Sequence, residues 1–239
     1  MTNFIVPDKH AKALDVMSSA ENYNNWIYQK ITPYVGDTIL EIGCGIGNFT
    51  KFLIKKKELT CVDMIEECIS KSRRKFSNSD NINYICGDFL DEKVLNSLPQ
   101  NKYDTIICLN VLEHIEKDFD ALKKMFYLLK KGGNLILIVP ALQQIYGSLD
   151  EALGHVRRYD RNSLKQHLKS VGFKMTALEY FNSIGIFGWY INGRVLKKKN
   201  LSLLQTLLYD KIFIPVLSRI ESFLSPSFGM SLLAVSKKE

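Results

Sequence analysis

Apolar and polar positions along this chain follow two rhythms. Short, almost wholly apolar runs, DTILEIG, LTCVDM, INYICGDF, YDTIICLN and NLILIVP, have the length and β-branched content of strands. Between them lie GNFTKFLIKKK, IEECISKSRRKF and DFDALKKMFYLLKKGG, which predict helices. The last carries lysines in its final turn and glycines just beyond, the usual C-terminal signals. Residues 8–32 predict one N-terminal helix stopped by Pro33. RNSLKQHLKSVGF predicts another, capped by Asn162 or Ser163. Apolar strands alternating with helices imply an α/β fold whose parallel sheet is covered on both faces. No repeat or low-complexity segment interrupts the pattern.

The pattern changes after residue 181. Residues 182–228 are too long for a turn. Leu204, Leu207, Leu208, Ile212, Val216 and Ile220 recur near helical spacing, and Pro215 must break or kink that run. Such a segment packs as a helical cap on its own domain, or presents a dimer or membrane-surface contact, which the Lys197–Lys199 run would favour. The chain therefore divides into an N-terminal helical lid (1–35), a main domain (36–181 and 229–239) and a helical insertion (182–228).

Composition narrows the class. The chain has 239 residues, 46% hydrophobic and 24% charged, as expected of a globular domain with a sizeable core. No apolar run reaches the roughly 18 residues of a membrane span. The N-terminus lacks a charged-then-apolar leader pattern, which predicts a cytoplasmic protein. Cys44, Cys61, Cys68, Cys86 and Cys108 show no metal-ligand spacing, so no metal is expected. Net charge is +7, but the lysines form short separate runs. That dispersal argues against nucleic acid and leaves a mild attraction to anionic partners.

ILEIGCGIGNFT is the segment richest in chemistry. Gly43, Gly45 and Gly47 follow an apolar run, but Asn48 stands where a dinucleotide fingerprint has its third glycine. The Gly-Lys-Ser/Thr of a P-loop is absent. Glu41 precedes the turn, Asp63 ends the second strand and Asp88 follows the third. A carboxylate at Asp63 can accept bonds from ribose hydroxyls. This much acid repels a pyrophosphate but not a ligand built of an amino acid and an adenosine. Helix capping is the competing role for Glu41 and Asp88.

On these residues the chain resembles the class I S-adenosylmethionine-dependent methyltransferases. ILEIGCGIG is similar to their first motif, CVD to their second-strand acid, CGDF to their adenine turn and YDTIICLNVLEHI to their fourth-strand motif. NVLEH resembles the branch with ubiquinone-pathway and other small-molecule O-methyltransferases. The stretch from Val139 to Asp160 is similar to methyltransferases of surface-sugar pathways. The resemblance implies a doubly wound, mostly parallel seven-stranded sheet. FKMTALEYF and MSLLAVSKK would form its late antiparallel hairpin.

The resemblance also implies a binding set for S-adenosylmethionine and its product S-adenosylhomocysteine. Gly43, Cys44, Gly45, Gly47 and Asn48 would run under the methionine part, with Glu41 anchoring the turn. Asp63 would hold the ribose and Met64 flank the adenine. Gly87, Asp88 and Phe89 would meet the adenine, Asn110 and Val111 the methionine ammonium. Tyr23 and Trp26 would lid the cofactor, unless they are core.

A hydroxyl acceptor needs a base. His10 lies near the terminus and His167 within a helix, read as surface. His155 in the loop after the fifth strand is the expected base. His114 is its competitor, unless it only shapes the cofactor loop. Arg157, Arg158, Tyr159 and Tyr146 are the expected acceptor contacts, although the arginines have acidic neighbours in Asp150, Glu151 and Asp160 with which to pair. The amino-methyltransferase N-P-P-Y signature, a cytosine-type Pro-Cys pair and a catechol-type acidic metal set are all missing. The expected reaction is O-methylation of a small molecule, sugar or lipid-linked glycan. A phenol, quinone-type or amine acceptor, and a protein that binds S-adenosylmethionine without turnover, stay open. A nicotinamide oxidoreductase is disfavoured by the glycine pattern. A homodimer and peripheral membrane contact are the partners left open.

Overall fold

The computed structural model describes the backbone of residues 7–239 and the side chains of residues 11–239. The first six residues of the lid and the His10 side chain lie outside the described residues. The chain runs α1 (Pro7–Ser18), α2 (Glu21–Ile31), β1 (Thr38–Ile42), β2 (Glu58–Asp63), α3 (Glu66–Lys75), β3 (Ile82–Cys86), α4 (Glu92–Ser97), β4 (Tyr103–Leu109) and α5 (Asp118–Leu128). It continues through β5 (Leu129–Pro140), α6 (Ser148–Leu153), α7 (Arg161–Val171), β6 (Phe173–Phe181), α8 (Gly185–Tyr190), α9 (Leu203–Leu208), α10 (Ile214–Phe223) and β7 (Ser231–Lys238).

One seven-stranded sheet has the order β3-β2-β1-β4-β5-β7-β6. The first five strands are parallel, and β7 inserts antiparallel between β5 and β6. The expected fold is therefore present, late antiparallel pair included. Strands β1, β4 and β5 are buried on both faces, one packing with α5 and α7, the other with α2 and α10. The sheet grows outward in opposite directions from the β1/β4 boundary. In open α/β sheets, ligands bind at such a switch point, outside the carboxyl ends of the strands.

Several expected boundaries move. The single helix over 8–32 is two helices, broken at Ser19 and Ala20. The helix expected over GNFTKFLIKKK is a series of tight turns with one 3₁₀ turn, Thr50–Phe52. Bonds such as Phe52 N to Phe49 O close three-residue steps. They place the Thr50 hydroxyl against buried Glu41, donating to its Oε2 at 2.7 Å. Helix α5 stops at Leu128, and Lys130 to Gly133 belong to the entry of β5. Asp160 caps α7, accepting from Asn162 N and Ser163 N, so neither expected residue is the cap.

The insertion is helical; one of its carboxylates joins it to α2 and a second ties its far end to its beginning. Ala20 offers no cap to α2. Asp210 supplies one from across the molecule, accepting from Tyr23 N at 2.8 Å and Asn22 N at 3.1 Å. Glu221 accepts from Asn182 N and Ser183 N, both at 2.9 Å, where the insertion begins. Both carboxylates are buried. Pro215 is accommodated because a π-helical turn, Tyr209–Phe213, precedes it and α10 starts at Ile214. The helical run from 203 to 223 therefore continues through the proline.

Two outcomes follow from these buried carboxylates. Asp210→Ala removes a helix cap and orphans buried N–H donors, so urea unfolding should show a loss on the order of 2 kcal/mol. A loss below about 0.5 kcal/mol would refute the cap. Burial lifts the Glu41 carboxyl from 4.5 to about 7, against the bonds from Thr50 and Cys61. Its neutral form is thus the one the fold favours. Stability associated with Glu41 is full below pH 4.5 and is lost as pH rises through about 7. Glu41→Gln keeps an acceptor for Thr50 and abolishes that loss, on the order of 3 kcal/mol at pH 8. Parallel stability–pH curves for parent and variant would contradict this.

Candidate functional site

The carboxyl ends of β1, β2 and β4 bring most of the expected cofactor residues together. The chain leaves β1 through Gly43, whose φ is 73°. A Cβ there would lie 2.2 Å from Val111 Cγ2, so only glycine lets β4's exit pass so close. Gly43 N and Cys44 N both donate to Val62 O, fixing the turn to β2. Asp63 closes it from the other side. Its Oδ2 accepts from Gly45 N at 2.7 Å, and its Oδ1 from Ile65 N at 2.9 Å. Gly87 N in turn donates to Asp63 O, which sets the end of β3 beside it. Asn110, at φ 53°, completes the rim by donating its N–H to Ile138 O.

This rim suits an adenosine attached to an amino acid. A carboxylate oxygen can accept more than one hydrogen bond, so Asp63 can hold the turn and meet ribose hydroxyls together. Met64 is 55% exposed next to it, an apolar side chain where a base can lie. Asp88 is exposed at the neighbouring strand end, with Oδ1 accepting from Leu90 N. Asn48 Oδ1 is buried beside the turn with no partner among the described residues, while its Nδ2 donates to Leu14 O. Two open cavities of about 360 and 330 Å³ lie elsewhere, lined by Arg73, Phe76 and Tyr84 and by Leu95, Lys123 and Tyr127.

Other expected contacts have gone into the core. Tyr23 and Trp26 pack on Phe181, with ring centroids 6.4 and 5.5 Å away. Burial raises the Tyr23 hydroxyl's pKa, and the ring is part of the sheet's packing rather than a lid. Phe89 lies with Val94 and Leu98 in the opposite core. Tyr159 is buried, its hydroxyl donating to Asp118 Oδ2 at 2.9 Å. Aromatic residues near a site in sequence are drawn inward because each removes a large apolar area from water.

Beside the rim, past β4 and β5, a polar cluster forms around Asp150. This carboxylate is fully buried. Its Oδ1 accepts from His155 Nδ1 at 2.9 Å and Arg158 Nε at 2.8 Å. Its Oδ2 accepts from Trp189 Nε1 at 2.9 Å and Gly147 N at 3.0 Å. Burial alone would raise its pKa; His155, Arg158 and Trp189 outweigh that and hold it below the usual carboxylate value. Arg158 is thus a structural partner, with a second bond to Ala141 O and the Trp189 ring 5.0 Å from its guanidinium. Arg157 pairs with Asp118 Oδ2 at 2.8 Å and donates to Glu116 O. Tyr146 donates to His155 O. The expected acceptor contacts therefore hold the loop in place.

The two histidines meet edge to face, centroids 4.9 Å apart. His155 is the buried one and His114 the half-buried one. His114 Nδ1 faces Gly154 O at 3.2 Å. A carbonyl only accepts, so in the neutral ring Nδ1 carries the hydrogen and Nε2 the lone pair. Asp150 imposes the same tautomer on His155, whose Nε2 lies 3.9 Å from Glu113 Oε1. Glu113 is fully buried, and neither of its oxygens has a hydrogen-bond partner among the described residues. Burial raises its carboxyl to about 7, opposed by His155 and Arg158. One ligand atom from each of Glu113, His114 and His155 falls within 4.8 Å of the others, a set able to hold a metal ion. No spacing rule reveals this set, because its members come from two loops about forty positions apart. His167 stands apart, half-buried with its ring against Phe119.

Comparison with known proteins identifies the family and the fold. The model of the methyltransferase domain family matches residues 17–178. Nodulation protein S of Azorhizobium caulinodans is 36% identical over 110 residues, 44% of this chain and 50% of that one. A ubiquinone biosynthesis O-methyltransferase of Coxiella burnetii is 34% identical over 112 residues, 46% of each chain. The chain thus spans about half the length of the curated relatives it matches. A SAM-dependent methyltransferase from Archaeoglobus fulgidus superposes with a TM-score of 0.61 at 21% identity, over 92% of this chain and 94% of that one. With the glycine turn, the strand-end acids and the sheet order in place, the chain belongs to the methyltransferase domain family.

Proposed function

We propose that this chain transfers the methyl group of S-adenosylmethionine to a hydroxyl of a small molecule, sugar or lipid-linked glycan, with His114 and His155 handling the acceptor's proton. Bound S-adenosylmethionine supplies an electrophilic methyl on a sulfonium, so the protein mainly has to align donor and acceptor, an effect of about 7–11 kcal/mol. Asp63 is suited to the ribose hydroxyls and the backbone of Gly43 to Gly47 to the methionine part. The observation that carries the reading is the histidine pair beside the Asn110 rim, with both rings held in one tautomer by Asp150 and Gly154. His114, the more accessible ring, faces the acceptor. His155 positions it from behind, which reverses the roles expected from the sequence. The ubiquinone-pathway relative supports oxygen as the acceptor atom.

Glu113 favours a second reading of the same cluster. One nitrogen of each histidine lies within 4.8 Å of a buried carboxylate whose oxygens have no hydrogen-bond partner among the described residues. His155 Nδ1 is oriented by a carboxylate and His114 Nδ1 by a carbonyl, the kind of support that metal-bound imidazoles usually have. A divalent cation held there would lower the pKa of the acceptor hydroxyl directly.

Methyl transfer from labelled S-adenosylmethionine, screened over nucleotide sugars, lipid-linked sugars, phenols and amines, tests both readings. His114→Ala should lower turnover about 10²–10⁴-fold without changing affinity for S-adenosylhomocysteine. If the variants at 114 and 155 both keep parental turnover, histidine chemistry is wrong. Loss of activity on chelation, restored by Mn²⁺ or Zn²⁺, selects the metal reading; insensitivity to the chelator rejects it. Asp63→Ala should weaken S-adenosylhomocysteine binding about tenfold to a hundredfold by calorimetry, for a lost charge-assisted bond. Unchanged affinity would remove Asp63 from the cofactor site.

A further inference from the structure

The insertion shows its apolar side to solvent. Leu204, Leu208, Ile212, Val216, Ile220 and Phe223 follow one another at three- or four-residue steps along the run from 203 to 223. They are between 49% and 88% exposed. The opposite side of the same run, with Asp210, Ile214, Leu217 and Glu221, is the buried one. A surface helix of a self-contained domain has the reverse arrangement, polar outward. Leu203, Phe213, Leu224 and Phe228 widen the exposed apolar face.

The exposed charges of the insertion itself have a single sign. The cations of the insertion are Arg194, Lys197, Lys198, Lys199, Lys211 and Arg219, of which all but half-buried Lys198 are exposed. Its acids are Asp210 and Glu221, and both are buried as backbone caps. The outward surface of this segment therefore carries apolar side chains and positive charge, and no carboxylate. Lys211 and Arg219 each precede a stripe residue, Ile212 and Ile220, by one position. On a helix that places them about 100° round, along one edge of the stripe. Lysine and arginine stems there can follow the apolar surface while their charges reach outward.

We propose that the exposed face of residues 203–223 docks on a lipid bilayer bearing anionic headgroups, lying in the plane of the interface. The run is about 30 Å long at 1.5 Å per residue, and no helix of the described residues is long and apolar enough to cross a membrane. Its stripe would enter the acyl boundary while the flanking cations meet the headgroups, as basic amphipathic helices do. A second copy of the chain is a poorer occupant. Pairing this face with itself would bring Lys211 and Arg219 against like charges with no exposed acid of the insertion to offset them.

Flotation of the full chain with vesicles tests this. Phosphatidylcholine vesicles containing about one third phosphatidylglycerol should carry the protein at low salt, and pure phosphatidylcholine should carry far less. Lys211→Ala with Arg219→Ala should reduce partitioning more than tenfold, about fivefold for each cation. Ile212→Ser with Val216→Ser and Phe223→Ser should abolish it. These side chains are exposed, so thermal unfolding of the variants should match the parent. Equal binding to neutral and anionic vesicles, or no flotation, overturns the proposal. So does sedimentation showing a dimer that the triple-serine variant dissociates, which would assign the face to a second copy.

Discussion

A buried carboxylate must be saturated with donors or it destabilises the fold that buries it. Asp150 meets this requirement with four donors from three separate segments. Because each donor must reach one fixed pair of oxygens, the start of α6, the loop between α6 and α7 and the insertion helix α8 are held in one arrangement. That arrangement sets the tautomer of His155 and its contact with His114. The same constraint recurs at the joints. Asp210 fastens α9 and α10 to the head of α2, and Glu221 fastens the insertion's far end to its beginning. Glu41 holds the 3₁₀ turn beneath the glycine turn.

Under the proposed function, these joints divide the molecule into a cofactor half and an acceptor half. The cofactor half is backbone geometry: positive-φ glycines, strand-end carboxylates and close passage of Val111 under Gly43. The acceptor half is side-chain chemistry held by one hub. A rigid turn suits a ligand common to many reactions, and a loop cluster is where an individual acceptor can be specified. The insertion touches the Asp150 cluster through Trp189 in α8 and presents the apolar face of residues 203–223 outward.

The glycine turn and the strand-end acids beside it were legible in the sequence. Strand ends, glycines and acids lie in order there, and parallel-sheet topology brings them to one edge without further information. The five parallel strands were legible for the same reason, since each is a continuous apolar run. The acceptor half was not. Nothing local tells that Asp150 meets Trp189, thirty-nine positions on, or that Arg158 turns inward to it rather than out to an acceptor. Glu113 reads as one more acid of a helix-start motif until its burial is seen. The insertion misled in another way. Its apolar spacing was visible, but spacing does not say which side of a helix faces the domain. The two acids that decide this, Asp210 and Glu221, look like ordinary surface charges in the sequence. Thr50 was drawn into a 3₁₀ turn by a buried partner nine residues earlier, which helical propensity cannot anticipate.

Under the proposed function, the methyl donor lies across the β1/β4 switch point with its sulfur turned toward Glu113, His114 and His155. A crystal structure of the chain with S-adenosylhomocysteine measures this directly. The predicted result has both ribose hydroxyls within hydrogen-bond distance of Asp63 and the sulfur on the side of the histidine pair. A ligand seated away from Asp63, or with its sulfur directed away from that pair, would contradict it.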